Sequence, residues 1–348
     1  MPSLSVSPRR ALRRSAAACA AVLAVAAAPL VGSAAATAAA PAASFLNLGT
    51  SAATYRIVTP LDGGGVAFAG DDLLVHVWEP GQAAAVNLGL PLSGQYSALV
   101  PLDGGGFAFA VPEAADHTDR NGDGDTADSV VFVWDPHRGA VNLGLAVETV
   151  TVCCSTDQYR LAAVPGGDVA FLVPEAGQGD ADRNGDGDTG DSVVAVWDHT
   201  SGAVTNVGLD AKTVGGLSDG RLAVVTSEAG QGHTDLNGDG DTKDNVAEIW
   251  GRGGTLVNTK TAALDVVPFG AARLALLVPE TAQGDTDRNG DGDTADTVVG
   301  LWDPARPGTV TNLGVAQGNT ETNVMALERG HLAVRISEAD QEQDLDGD

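Results

Sequence analysis

Tyr55-Arg-Ile-Val-Thr-Pro60-Leu-Asp-Gly-Gly-Gly65-Val-Ala-Phe-Ala69 is followed by Leu73-Leu-Val-His-Val-Trp78 and then by Ala84-Ala-Val-Asn-Leu88. Four short apolar runs, Tyr55 to Thr59, Val66 to Ala69, Leu73 to Trp78 and Ala84 to Leu88, are separated by turn residues. Runs of this length, rich in Val and Ala, predict β-strands, and Leu61-Asp-Gly-Gly-Gly65 predicts a hairpin turn of the Asp-Gly kind. The turn returns as Leu102-Asp-Gly-Gly-Gly106, Pro165-Gly-Gly-Asp168 and Ser218-Asp-Gly220. No helical periodicity follows residue 40, so the chain reads as all-β.

The same unit recurs through the chain. All five Trp occupy one repeat position: Trp78, Trp134, Trp197, Trp250 and Trp302. A second mark trails each one, as Asn87-Leu-Gly, Asn142-Leu-Gly, Asn206-Val-Gly, the degraded Asn258-Thr-Lys, and Asn312-Leu-Gly. The units run over residues 50–89, 90–144, 145–208, 209–258, 259–314 and 315–348, within a repeat region of 41–348. Four strands per unit with a Trp-Asp closing the third strand resembles a β-propeller blade of the WD40-like kind. The Gly-His pair of true WD40 repeats is absent, so the resemblance implies the architecture only. It predicts six blades, with seven as the alternative, and Trp residues packed between neighbouring blades. The sixth unit supplies Val324 to Leu327 and Leu332 to Ile336 and then stops inside its motif at Asp348, so the last blade is expected to be incomplete in this chain. About 20 further residues would complete a six-bladed ring at roughly 40 per blade. Phe45-Leu-Asn-Leu-Gly49 matches a fourth strand and is expected to close the ring against the last blade.

Between the second and third strands of four units lies a ten-residue insertion, Asp119-Arg-Asn-Gly-Asp-Gly-Asp-Thr-Ala-Asp128 in its first copy. It recurs at 182–191, 235–244 and 287–296, and a fifth copy begins at Asp344. A hard dication takes six to eight oxygens, and a tightly curled loop turns alternate residues inward. Gly at the sixth position (Gly124, Gly187, Gly240, Gly292) permits the sharp turn. The motif resembles the Asp-x-Asn-x-Asp-Gly loops of EF-hand, dockerin and integrin-type proteins, which implies calcium and nothing about fold. By that resemblance the ligands are Asp119, Asn121, Asp123 and the backbone carbonyl of Asp125. The EF-hand closing Glu is replaced by Val130, Val193, Val246 or Val298, so the closing carboxylate must be the tenth residue, Asp128 in the first copy. The corresponding sets are Asp182, Asn184, Asp186, Asp188 and Asp191; Asp235, Asn237, Asp239, Asp241 and Asp244; Asp287, Asn289, Asp291, Asp293 and Asp296. The plain alternative is a solvated Gly/Asp turn held by Asx hydrogen bonds. Repetition of so many mutually repelling carboxylates favours Ca2+, and magnesium, which keeps its waters, fits less well. A further acid precedes each loop (Glu113, Glu175, Glu228, Glu280, Glu338) and reads as a strand-end cap or as an extra ligand. His117, Asp180, His233 and Asp285 stand two residues before the loops and read as solvated polar residues.

Of 348 residues, 46 are acidic and 19 basic, giving a net charge of −27. Such acidity argues against nucleic acid and anionic membrane surfaces as partners. Residues 1–40 read as a secretory signal: four Arg precede an Ala/Val/Leu run from Ala16 to Val31, followed by small residues from Ser33 to Ala40. The run is short for a membrane span and contains Pro29, so no membrane insertion is expected after the signal is removed. The expectation is a secreted protein. Cys153 and Cys154 are then the mature cysteines, and their adjacency leaves a strained vicinal disulfide or two buried thiols equally open.

No Gly-x-Ser-x-Gly elbow, phosphate-cradling glycine loop or His-Glu-x-x-His occurs. His76, His137, His199 and His331 form no repeated constellation. The leading expectation is a secreted calcium-binding β-propeller that serves as a binding or structural module for a protein or glycan. The alternative is a calcium-dependent propeller hydrolase, glycan-active or similar to the propeller phytases, using clustered metal to hold an anionic substrate. Its weakness is that the loops are near-identical, whereas catalysis singles out one.

Overall fold

A computed structural model describes residues 58–92, 99–152, 156–317, 324–345 and 347. The expected signal segment, the strand at Phe45 and the Cys153–Cys154 pair lie outside the described residues.

The first unit folds as β1 (Val58–Pro60), β2 (Val66–Ala69), β3 (Leu74–Trp78) and β4 (Val86–Pro91), an antiparallel meander in chain order. The second repeats it with β5 (Val100–Pro101), β6 (Phe107–Pro112), β7 (Ser129–Asp135) and β8 (Gly139–Ala146). A hairpin of β9 (Thr149–Val152) and β10 (Thr156–Tyr159), not foreseen from the repeat pattern, opens the third unit ahead of its blade strands. That unit comprises β11 (Leu161–Val164), β12 (Asp168–Pro174), β13 (Ser192–Trp197) and the first half of β14 (Val204–Gly216). Strand β14 pairs with β13 up to Asp210 and with β15 (Leu222–Ser227) from Ala211 onward. It is therefore both the outer strand of one unit and the inner strand of the next. The fourth unit continues with β16 (Asn245–Gly251) and β17 (Thr255–Ala262). The fifth is β18 (Asp265–Phe269), β19 (Arg273–Pro279), β20 (Thr297–Trp302) and β21 (Val310–Gln317), and β22 (Val324–Leu327) pairs with β23 (His331–Val334) beyond it. A single helical turn, α1 (Glu338–Gln341), follows. Among the described residues no helix is long and apolar enough to cross a membrane.

The inner strands lie side by side in sequence order: β1 against β5, β5 against β11, β11 against β14, β14 against β18, and β18 against β22. Successive four-stranded meanders stacked about their inner strands are blades of a β-propeller.

Period-2 alternation explains how the blades pack. In β6, Phe107, Phe109 and Val111 join Ala67, Val75 and Val77 of the first blade in one apolar layer, while Ala108 and Ala110 face Phe171 and Trp197 of the third. Large residues on one face of a strand thus meet small ones on the facing blade. Trp134, Trp197, Trp250 and Trp302 each lie in the layer shared with the preceding blade, as their repeat position predicts. Trp78 packs only with Val66, Phe68 and Ala85 of its own blade among the described residues.

The Asn-x-Gly marks have a local cause. Each fourth strand slips register against the third at this point, a β-bulge that lets the strand run on past the mark. Asn142 Oδ1 accepts from Gly144 N at 2.8 Å, and Asn206 does the same for Gly208 at 3.1 Å. The residue two after the Asn is left-handed, at φ +68° for Gly144 and +75° for Gly208. The degraded copy keeps this geometry with Lys260 at φ +53°, a conformation that costs an L-residue roughly 1–2 kcal/mol.

Candidate metal centre

Each of the four loops joins the second strand of its blade to the third. It opens with a 3₁₀ turn, Glu113–Ala115, Ala176–Gln178, Ala229–Gln231 or Thr281–Gln283. His117, Asp180, His233 and Asp285 then take left-handed φ values between +47° and +56°. His, Asn and Asp are the non-glycine residues that best tolerate this region, which accounts for the His/Asp alternation without any ligand role. Gly124 and Gly187, at φ +103° and +104°, make the sharp turn anticipated at the sixth loop position.

The first acid of the loop closes the turn from inside. Asp119 Oδ1 accepts from Gly122 N at 2.6 Å and Oδ2 from Gly124 N at 3.2 Å, and Asp182, Asp235 and Asp287 repeat both bonds. The acid at the fifth position holds the following turn: Asp123 Oδ1 accepts from Asp125 N at 3.1 Å, with equivalents at Asp186, Asp239 and Asp291. Asp119 and its equivalents lie outside the carboxylate groups that converge, whereas Asp123 and Asp291 still abut the tenth-position acids Asp128 and Asp296.

The acids at positions seven and ten do converge, and the acid before the loop joins them. Glu113, Asp125 and Asp128 each place a carboxylate oxygen within 4.8 Å of the others, as do Glu175, Asp188 and Asp191; Glu228, Asp241 and Asp244; and Glu280, Asp293 and Asp296. The glutamates are fully buried. Reading Glu113 as a cap accounts for only one of its oxygens. Oε1 accepts from the backbone N–H groups of Arg120 and Asn121. Oε2 of Glu113, Glu175 and Glu280 is buried without a hydrogen-bond partner, whereas Glu228 Oε2 accepts from Asp244 N at 3.0 Å. Because a buried carboxylate oxygen without a donor carries a large desolvation cost, these residues fit a cation held among three carboxylates. The signal for the glutamate was its repeat position, six or seven residues upstream of every loop.

Electrostatics agree with crowding. Burial, reinforced by Asp123, Asp125 and Glu113, pushes the Asp128 carboxyl up to about 7. Burial together with Asp291 and Asp293 does the same to Asp296, also to about 7. Asp191 and Asp244 are pushed up to about 6, by burial first and neighbouring carboxylates second. A bound dication would reverse these shifts, since opposite charge favours the ionised form.

The third-position Asn has another place. Asn121 Nδ2 donates to Gly177 O of the next blade at 2.8 Å, Asn184 to Gly230 O at 2.6 Å, Asn237 to Ala282 O at 2.9 Å and Asn289 to Asp340 O at 2.8 Å. A reciprocal bond comes back. Gln178, Gln231, Gln283 and Gln341 accept from Ala146 N, Asp210 N, Ala262 N and Ala316 N of the preceding blade at 2.7–3.3 Å. The outer-strand Asn ties the loop to its own blade, Asn142 donating to Arg120 O at 2.9 Å. At the first seam Pro91 stands where Ala146 does and offers no N–H, and Asp116 replaces the Gln. There Asn87 donates instead to Asp72, at 3.0 Å. Every acidic triad is therefore built beside a clasped blade–blade seam.

No protein-family model matches the chain, and no curated protein matches it in sequence. Among solved structures it is similar to the tricorn protease at 13% identity and a TM-score of 0.33, over 74% of this chain and 21% of that one. It is also similar to the β-propeller domain of the Trilobed protease from Pyrococcus furiosus, at 9% identity and a TM-score of 0.34, over 68% of this chain and 61% of that one. A third is YCF48 bound to D1 peptide, at 10% identity and a TM-score of 0.32, covering 72% and 64%. The chain spans less than two thirds of the length of each.

Proposed function

We propose that this chain is an exported, calcium-binding β-propeller that acts as a binding or structural module for a protein or glycan. The observation that carries the reading is the recurrence of one arrangement at four seams: a buried Glu and two loop Asp beside the Asn–Gln clasp. The carboxylates converging at each seam have the chemistry for a hard cation. Calcium suits them better than magnesium, which takes few protein carboxylates and keeps its waters. Four centres built on one plan at equivalent positions suit a scaffold, because each one stiffens a joint between blades. The Arg-rich, Ala-rich start of the sequence supports export, and millimolar extracellular calcium suffices for modules that bind at roughly 10⁻⁴ to 10⁻³ M.

The test is thermal unfolding of the chain with calcium, with magnesium and after chelation. A ligand that binds only the folded state raises its stability by mass action, by about 2.7 kcal/mol for one site at a hundredfold excess over Kd. The reading expects a large rise with calcium and a small one with magnesium. Identical melts in all three conditions would reduce the loops to acidic turns.

A further inference from the structure

The four seams share one plan, and one of them carries an additional acid. Resting on the calcium reading above, we infer that the seam between the third and fourth blades is a distinct, tighter calcium centre in which Asp210 adds a fourth carboxylate to Glu175, Asp188 and Asp191.

Asp210 is the last residue of β14 paired with the third blade, facing Val193 across the ladder. Its repeat equivalents are Ala146, Ala262 and Ala316, so no other seam has a carboxylate here. The side chain is fully buried. Oδ1 accepts from Ser192 N at 3.0 Å, which fixes the carboxylate plane. Oδ2 has no hydrogen-bond partner. The nearby cation is Lys212 Nζ at 3.5 Å, on a side chain that is 53% exposed. An ammonium on a flexible, solvated stem compensates a buried carboxylate weakly.

The direction of Oδ2 is shown by the facing glycine. A Cβ on Gly230 would lie 2.0 Å from Asp210 Oδ2 and 2.6 Å from Asp191 Oδ1, so the two oxygens flank the same point. Gly230 belongs to the next blade, and its carbonyl already accepts from Asn184 Nδ2. Glu175 Oε2, buried and without a partner, belongs to the same triad as Asp191. At this seam Glu175 Oε2 thus lacks a donor and Asp210 Oδ2 faces only the exposed Lys212 ammonium at 3.5 Å, so two buried carboxylate oxygens from two elements are left under-compensated. Because calcium affinity rises with the number of ligand charges, a fourth carboxylate makes this site fill before the other three.

Calorimetric titration of the decalcified full-length chain with calcium chloride tests the inference. The wild type is expected to show one tight site and a weaker class of three, separated by at least about tenfold in Kd. Asp210→Ala gives this seam the residue found at the others and should merge all sites into the weak class. Asp210→Asn keeps an acceptor for Ser192 N and should lose the tight site equally, which separates lost charge from misfolding. Ala146→Asp, set opposite Gly177, should create a second tight site. Four indistinguishable sites in the wild type, or a tight site that survives both Asp210 substitutions, would overturn the inference and leave the calcium scaffold standing. No calcium binding at any seam would overturn both.

Discussion

Asn184 Nδ2 donates to the carbonyl oxygen of Gly230 at 2.6 Å, joining residues 46 apart in the chain and belonging to different blades. The same Asn accepts from Asp186 N through its Oδ1 at 3.3 Å, so one amide side chain shapes its loop and grips the neighbouring blade. A residue type typical of metal loops is thus doing mechanical work between blades.

The clasp should be measurable alone. Asn237 is buried, whereas Asn121 is partly exposed. Asn237→Ala should destabilise by about 1–2 kcal/mol, since it orphans Ala282 O and costs a net hydrogen bond, and Asn121→Ala by less. Denaturant unfolding in excess chelator isolates this from any metal effect, and equal losses would show that burial does not set the strength of the clasp.

Glu280→Gln should split the structural role from the charge. The Gln carbonyl still accepts from Arg288 N and Asn289 N, while the unpartnered anionic oxygen disappears. The chelated protein should melt higher than wild type, and the calcium-dependent rise should shrink by about a quarter, one site in four being disabled. A fall in the chelated melt would mean that the carboxylate is stabilising without metal.

Acidity should act in opposite senses with and without calcium. The carboxyls of Asp128 and Asp296 titrate near 7 when folded, and those of Asp191 and Asp244 near 6, all above their ordinary 3.8. The folded state therefore binds more protons than the unfolded one between about pH 4 and 7. Stability of the chelated protein from these groups is present below that window and declines as pH rises through it. Calcium requires the ionised forms, so its affinity should rise over the same window, with proton release visible as buffer-dependent binding heat. A calcium affinity flat from pH 5 to 7.5 would contradict the placement of these carboxyls at the site.

The Trp residues should separate by their surroundings. Trp197 is 1% exposed between the second and third blades, and Trp197→Ala should cost about 3–5 kcal/mol. Trp78 packs within its own blade among the described residues, and Trp78→Ala should cost less. Parallel melts of the two variants decide the order.

The repeat, the four strands of each blade, the place of the loops and the layer of Trp were all legible in the sequence, because each depends on period-2 alternation and on turns spanning a few residues. His117 and Asp180 were legible as solvated polar residues and are exposed, but their left-handed torsion was not, since a backbone torsion leaves the same trace in sequence as a solvated polar residue. Convergence of Glu113 with Asp125 and Asp128, the exchange of Asn121 and Gln178 across a seam, and the burial of Asp210 opposite Gly230 were decided by tertiary structure alone. Each joins groups on different elements, and most join groups on different blades. Local spacing sets which way a side chain leaves its strand, but only the stacking of one blade on the next sets what it meets.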